Sequence, residues 1–357
     1  MYAPIRSILR NLAPYSVSDV GEAVDLSDNT NLWGSPPMAI DAVRALASSA
    51  LTRYPSIPPV ALYAKLSAYA GVTPDMIVAG CGSDDLIDCA MRAFTEPGET
   101  MALAAPTFSM VPTFAAINGL RTYAVPYRAD LDLDVDALLA QKPRVIYLCS
   151  PNNPTGSALP IPTVERIVSE APGVVVLDEA YGEFTAAPGF ALAARSERLV
   201  VIRTLSKAFG LAGLRIGYAV LSPPLARALE TVRGPYKLNA AAAAAASAVL
   251  AHELSWVRER AAEAVTSRIR LAAALTSLGL SPLPSDANFL CVPCRRAQPL
   301  SERLLARGFG LRVLNDLPPV TPALAASQGA AIRVTVGPWP LMEQLLAAWQ
   351  AENVECE

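Results

Sequence analysis

The chain has 357 residues, 52% of them hydrophobic and 17% charged, with 29 Lys and Arg set against 32 Asp and Glu. That balance excludes a disordered or acidic-tail protein, leaves no basic excess for a nucleic-acid backbone, and allows a large core. The longest apolar run, residues 240–250, is mostly alanine and falls short of the roughly 20 residues a spanning helix needs, so no membrane segment is expected. Residues 1–10 lack the apolar stretch of a secretory signal. The six cysteines, Cys356 at the tail among them, are scattered, and only Cys291 and Cys294 have CxxC spacing. They read as structural or incidental thiols of a cytoplasmic protein.

Apolar runs of strand length recur at 77–79, 100–103, 121–125, 145–149, 174–177, 199–203 and 216–220. Residues 84–94 carry Leu86, Ile87, Ala90, Met91 and Phe94 at helical spacing, with Ser83 or Asp84 as the expected N-cap and Glu96-Pro97-Gly98-Glu99 as the stop. Residues 164–170 form another short helix. Strands alternating with helices predict an α/β fold whose mostly parallel sheet is covered by helices. Val174-Val175-Val176-Leu177 does not alternate in polarity, which fits a strand buried on both faces. After Leu221 the texture changes: helix at 225–232, a long helical region at 240–275, short strands at 288–292 and 332–336, and helices at 300–307 and 341–351. The expected division is an N-terminal segment, 1–35, packing on a small C-terminal domain, 251–357, with a large domain at 36–250 between them in sequence.

The single histidine, His252, sits in a helix-like stretch with no companion motif, so an acid–base role falls to another side chain. Lys207 follows strand 199–203 within Thr204-Leu205-Ser206-Lys207, where a lysine can form a Schiff base. Taken alone it also reads as a solvated loop lysine. Asp178 ends strand 174–177 at the ligand edge of an α/β sheet and, once buried, needs a cationic partner. A protonated pyridine nitrogen would serve; a helix cap is the alternative. Ser150-Pro151-Asn152-Asn153-Pro154-Thr155-Gly156 makes a rigid, amide-rich turn. Gly80-Cys81-Gly82-Ser83-Asp84 joins a strand to a helix start, where backbone N–H groups can hold a phosphate.

The order and spacing of these pieces resemble the pyridoxal 5′-phosphate (PLP) aminotransferases of fold type I, and within them the histidinol-phosphate aminotransferase subfamily. The resemblance runs from Leu12-Ala13-Pro14-Tyr15 to Ile332-Arg333-Val334-Thr335-Val336-Gly337, and the stretch from Ser206 to Arg215 is its most specific part. It implies a large domain with a mostly parallel sheet and a smaller α+β domain. It implies that Lys207 forms the Schiff base with PLP and moves the substrate proton, that Asp178 pairs with the ring nitrogen, and that Tyr181 and Asn153 hydrogen-bond the ring oxygen. Phe108 would stack on the ring. Ser83, Asp84, Thr204, Ser206 and Arg215 would hold the phosphate. Tyr54 would reach the phosphate of a second subunit, so a homodimer with shared active sites is expected. Arg333 is the substrate-anion arginine of that family, with Tyr15, Asn31 and Asn288 near the substrate.

Three stretches depart from the pattern. Asn29-Thr30-Asn31-Leu32 stands where the family usually has Asn-Glu-Asn-Pro. Leu314 takes the place of the arginine that helps grip the substrate's phosphate, although Arg312, two positions earlier, falls on the same face of a strand and can substitute. Gly337-Pro338-Trp339-Pro340 replaces a polar stretch, and Trp33 and Trp339 are placed at the side-chain pocket. One remaining arginine matches one carboxylate, so the expected activity is transfer of an amino group from an L-α-amino acid to a 2-oxo acid. Histidinol-phosphate aminotransferase, or a PLP-dependent decarboxylase, oxidase or cyclase, shares the same motifs and stays open.

Overall fold

The computed structural model describes residues 5–16 and 19–352; Met1–Pro4 and Cys356 lie outside the described residues. The strands in chain order are β1 (Val24–Asp25), β2 (Ile77–Gly80), β3 (Thr100–Ala105), β4 (Arg121–Pro126), β5 (Val145–Cys149), β6 (Val174–Asp178), β7 (Leu199–Thr204), β8 (Gly217–Leu221), β9 (Phe289–Pro293), β10 (Phe309–Gly310), β11 (Arg312–Leu314) and β12 (Ala331–Thr335). A seven-stranded sheet runs β2-β8-β7-β6-β5-β3-β4. It is parallel except for β8, which pairs antiparallel with both β2 and β7. A three-stranded antiparallel sheet runs β11-β12-β9, and β1 pairs with β10.

The run Val174-Val175-Val176-Leu177 shows why the large sheet is covered on both faces. Val175 and Leu177 join one apolar cluster, whereas Val174 and Val176 join another. Successive side chains point to opposite faces, so each face needs its own layer of helices. A third cluster, with Leu271, Leu290, Val334 and Trp349, packs around the three-stranded sheet.

Two expectations change at helix ends. The helix Ser83–Phe94 is preceded by Gly82 as N-cap, with φ at 86°, so neither Ser83 nor Asp84 caps it. Both sit in the first turn, where amides have no intrahelical acceptor. The predicted helical region 240–275 is two helices, Ala240–His252 and Leu254–Ser277, bent by 85°. Glu253 leaves helical geometry at the break and its Oε2 accepts the Met38 N–H at 2.9 Å. The alanine-rich first helix thus stays against helix Pro37–Arg44, and the second turns toward the small sheet. His252 is exposed at the end of the first. No single helix among the described residues is long and apolar enough to cross a membrane.

The N-terminal segment divides its contacts. Leu26 donates to Gly310 O and accepts from Thr335 N, each at 2.8 Å, so this part lies along the small sheet. Arg6 instead donates to Ile117 O at 2.8 Å, at the end of a helix that flanks the large sheet.

The close fit of the large sheet generates a test. A Cβ at Gly173 would overlap the backbone carbonyl of Arg144, whereas one at Gly213 meets nothing within 4 Å. Gly173→Ala should cost about 1–3 kcal/mol in urea unfolding, and Gly213→Ala less than about 0.5. Equal effects would contradict the packing described.

Candidate active site

Three parallel strands end side by side at one edge of the large sheet, and each delivers a residue to a cavity of about 540 Å³: Cys149 from β5, Asp178 from β6 and Thr204 from β7. The same cavity is lined by Tyr15, Ser83, Asp84, Phe108, Asn153, Tyr181, Ser206, Lys207, Arg215 and Arg333. Of the residues named from sequence, Tyr54, Asn31, Asn288 and Arg312 do not line it. Tyr54 is 79% exposed and stacks on Tyr236 at 4.2 Å between ring centroids. Asn31 is spent locally, donating to Ala208 O at 2.9 Å and accepting from Trp33 N at 3.0 Å. Asn288 is buried and donates to Asn29 O at 3.1 Å. Trp33 and Trp339 are also absent from the lining; Trp33 packs on the core, and the Arg270 guanidinium covers Trp339 at 3.7 Å.

The floor of the cavity is a carboxylate that no cation among the described residues pairs with. Asp178 is buried, and burial pushes its pKa up to about 6, against the pull of its hydrogen bonds. Tyr147 Oη donates to Oδ2 at 2.7 Å, and the Ala180 N–H donates to Oδ1 at 3.0 Å. Tyr147 was not named from sequence, because an aromatic residue within the run 145–149 reads as core. It sits opposite Val176 in the β5–β6 register, and Asp178 two residues on faces the same side.

On the opposite side of the sheet, Glu179 and Arg203 form a buried ion pair at 2.7 Å. Burial opposes the charge on both, yet the flanking carboxylates hold Arg203 firmly protonated. Glu179 follows Asp178 and Arg203 precedes Thr204, so this pair ties together the two strand ends that carry the site.

Above the floor, Lys207 Nζ donates to Asp28 O at 2.8 Å. Burial, with the neighbouring charge of Arg333 adding to it, lowers the pKa of Lys207 to about 8. Asp28, Asn29 and Thr30 also line the cavity and belong to the segment after β1. Asn29 was passed over for Asn31 because alternation along an irregular segment does not tell which side chain turns inward.

At the rim, the first turn of helix Ser83–Phe94, the Thr204 and Ser206 hydroxyls and the Arg215 guanidinium converge. Thr204 Oγ1 donates to Ser206 Oγ at 2.9 Å, and Arg215 Nη1 lies 3.5 Å from Ser206 Oγ. Gly82 has φ at 86°, a backbone conformation that favours glycine, and a Cβ there would also come within 2.6 Å of Arg215 Nη2. Free amides, hydroxyls and a guanidinium in one concavity suit a phosphate.

On the wall, Arg333 donates to Asn153 Oδ1 at 2.6 Å and to Ser27 O at 2.5 Å, and its buried Nε has no hydrogen-bond partner among the described residues. No carboxylate among the described residues pairs with it. Arg312 stands directly opposite in the β11–β12 register, with its guanidinium 5.7 Å from the Tyr15 ring.

Sequence comparison gives the family. The family described as aminotransferase class I and II matches residues 22–348, and the chain belongs to it. It is a PLP-dependent aminotransferase, acting between an amino acid and a 2-oxo acid. The histidinol-phosphate aminotransferase of Roseiflexus castenholzii is 39% identical over 329 residues, covering 88% of this chain and 87% of that one. That of Chromobacterium violaceum is 36% identical over 353 residues and 97% of both chains. The crystal structure of histidinol-phosphate aminotransferase from Sinorhizobium meliloti in complex with pyridoxal-5′-phosphate superposes with a TM-score of 0.87 at 27% identity, over 99% of each chain. The residues present fit that cofactor: a lysine whose pKa is lowered, a buried carboxylate short of a cation, and a phosphate cradle lie in one cavity.

Two pH effects follow. Covalent attachment of PLP needs neutral Lys207, so the loading rate of apoprotein should rise with pH and level off near 8; a rise continuing toward 10 would contradict the site. Asp178 has a folded-state pKa above its unfolded one, so its contribution to apoprotein stability is present below about 4 and lost as pH rises through about 6. The loss is about 3 kcal/mol. Apoprotein of Asp178→Asn should therefore gain on wild type between pH 4 and 7 in urea unfolding, and PLP should reverse the order. A difference independent of pH would show that Asp178 is not strained by burial.

Proposed function

We propose that this aminotransferase exchanges the amino group between an L-α-amino acid/2-oxo acid pair and an amine carrying a phosphate monoester, L-histidinol phosphate. One anion site would serve both, with Arg333 gripping carboxylate or phosphate and Arg312 supplying the second charge. The observation that carries this reading is the register of β11 and β12, which sets Arg312 across from Arg333 with no ion-pair partner for either among the described residues. A dianion is best held by more than one cation. Leu314 alone argues for one guanidinium and one carboxylate; Arg312 on the same face changes that count. The names of the relatives point the same way.

When bound, PLP supplies an electron sink conjugated to the reacting carbon. The chain supplies the rest. Asp178 stays ionised against the ring nitrogen and holds its positive charge. Lys207 Nζ is the base that takes the proton from the substrate Cα and the acid that returns one. Its lowered pKa keeps a usable fraction neutral at physiological pH, which is why the site needs no histidine. Tyr181 and Asn153 would hydrogen-bond the ring oxygen, and Phe108 would pack on the ring. Ser83, Asp84, Thr204, Ser206 and Arg215 would hold the phosphate. Tyr15 and Arg312 close the substrate end, and Asn288 steadies the segment carrying Asn29. Lys207→Ala should fold and retain PLP non-covalently but lose turnover; borohydride-stable attachment to another lysine would overturn the assignment.

The same proposal makes the enzyme a cytoplasmic homodimer. Leu51, Tyr54, Ile57, Val60 and Tyr236 are exposed at 45–81%, and a second subunit would cover them and receive Tyr54 at its phosphate. It also keeps the division into 1–35, 36–250 and 251–357, with the cavity between the two sheets.

The test is kcat/KM for histidinol phosphate and a panel of α-amino acids, in wild type and in Arg312→Leu. Histidinol phosphate should be the best donor, and the variant should lose roughly ten- to a hundredfold on it while changing little with amino acids. A best donor without phosphate, or an Arg312→Leu that leaves histidinol phosphate unaffected, would reduce the function to amino-acid transfer through Arg333 alone.

A further inference from the structure

Asn29 holds an unusual position for a residue that is not glycine. Its φ is 55°, in the left-handed region that asparagine tolerates better than most residues, and the residue is 1% exposed while still lining the cavity. Its polar groups bridge three parts of the molecule. The backbone N–H donates to Thr335 Oγ1 of β12 at 3.0 Å, and the carbonyl accepts from Asn288 Nδ2 at 3.1 Å. Oδ1 lies 3.3 Å from Thr335 Oγ1. Nδ2 donates to Tyr181 Oη at 2.9 Å.

That last bond fixes the direction of the tyrosine's own proton. Tyr181 Oη accepts from Asn29, and among the described residues no protein acceptor takes its O–H. Tyr181 is buried apart from the cavity it lines, so the O–H is left to face the cavity. A hydroxyl that accepts one hydrogen bond also becomes a better donor in the next. We propose that Asn29 is a positioning residue for the transamination site: its side-chain amide turns the Tyr181 hydroxyl into a donor aimed at the ring oxygen of PLP. This rests on the placement of Tyr181 beside that oxygen.

The experiment is a spectroscopic pH titration of the PLP-loaded enzyme, together with PLP affinity, in wild type, Tyr181→Phe, Asn29→Gly and Asn29→Asp. A donor to the ring oxygen favours its deprotonated form, so losing the donor raises the pH of the colour transition. Tyr181→Phe should raise it most. Asn29→Gly accepts the backbone angle but has no amide, and should raise it part of the way. Asn29→Asp presents only acceptors, pulls the Tyr181 proton away from the cavity, and should raise it further than Asn29→Gly. If Asn29→Gly titrates like wild type, the asparagine serves only the backbone angle and the proposal fails. If Asn29→Asp titrates like wild type, the amide oxygen rather than the nitrogen faces Tyr181, and it fails equally. A Tyr181→Phe enzyme with an unchanged transition would instead overturn the placement of Tyr181, whatever the Asn29 variants do.

Discussion

A carboxylate buried at the end of a central strand governs this molecule. Among the described residues Asp178 receives two hydrogen-bond donors but no cation, and burial holds its pKa at about 6. An ionised group in that position is costly until a positive charge arrives. The fold must therefore keep β6 in register, keep water out from beneath the strand end, and leave the cavity open above it. The buried pair Glu179–Arg203 meets the first demand from the far face of the sheet. Tyr147 meets the second, filling the space under the carboxylate while offering it a proton.

The upper half of the site depends on a different arrangement. The large sheet contributes Lys207, Tyr181 and Asn153, whereas the small sheet contributes Arg333, with Arg312 across from it in register. The segment after β1 lies between them. Its carbonyls take hydrogen bonds from Lys207 through Asp28 and from Arg333 through Ser27, and Asn29 joins Thr335 to Tyr181. Lys207 and Arg333 thus come from separate sheets, joined by a short irregular strap, and the relative position of the sheets sets the distance between the two side chains.

Much of this was legible in the sequence, for physical reasons that differ from residue to residue. Strands buried on both faces carry unbroken apolar runs, and the residues ending such a run have to stand at the sheet edge; Asp178 and Lys207 stand out that way. The turn 150–156 combines too many conformationally special residues to be a generic loop, whereas the stretch 206–215 stands out through its resemblance to a known family. What stayed hidden depends on contacts between distant segments. Tyr147 is indistinguishable from a core aromatic until its hydroxyl is seen against Asp178. Glu179 and Arg203 are 24 positions apart, and nothing local pairs them. Asn29 and Asn31 differ only in which way an irregular backbone turns. The bend at Glu253 has no proline or glycine to announce it, because it is set by a bond to Met38.

The account stands or falls on whether Asp178 keeps a positive charge on the cofactor's ring. Nitrogen-15 NMR of the enzyme loaded with PLP labelled at the pyridine nitrogen reads that charge directly. The structure predicts a protonated nitrogen in the wild type from neutral pH up to at least pH 8, and an unprotonated one in Asp178→Asn. An unprotonated nitrogen in the wild type at neutral pH would contradict it, since the buried carboxylate would then have no partner and the site no electron sink.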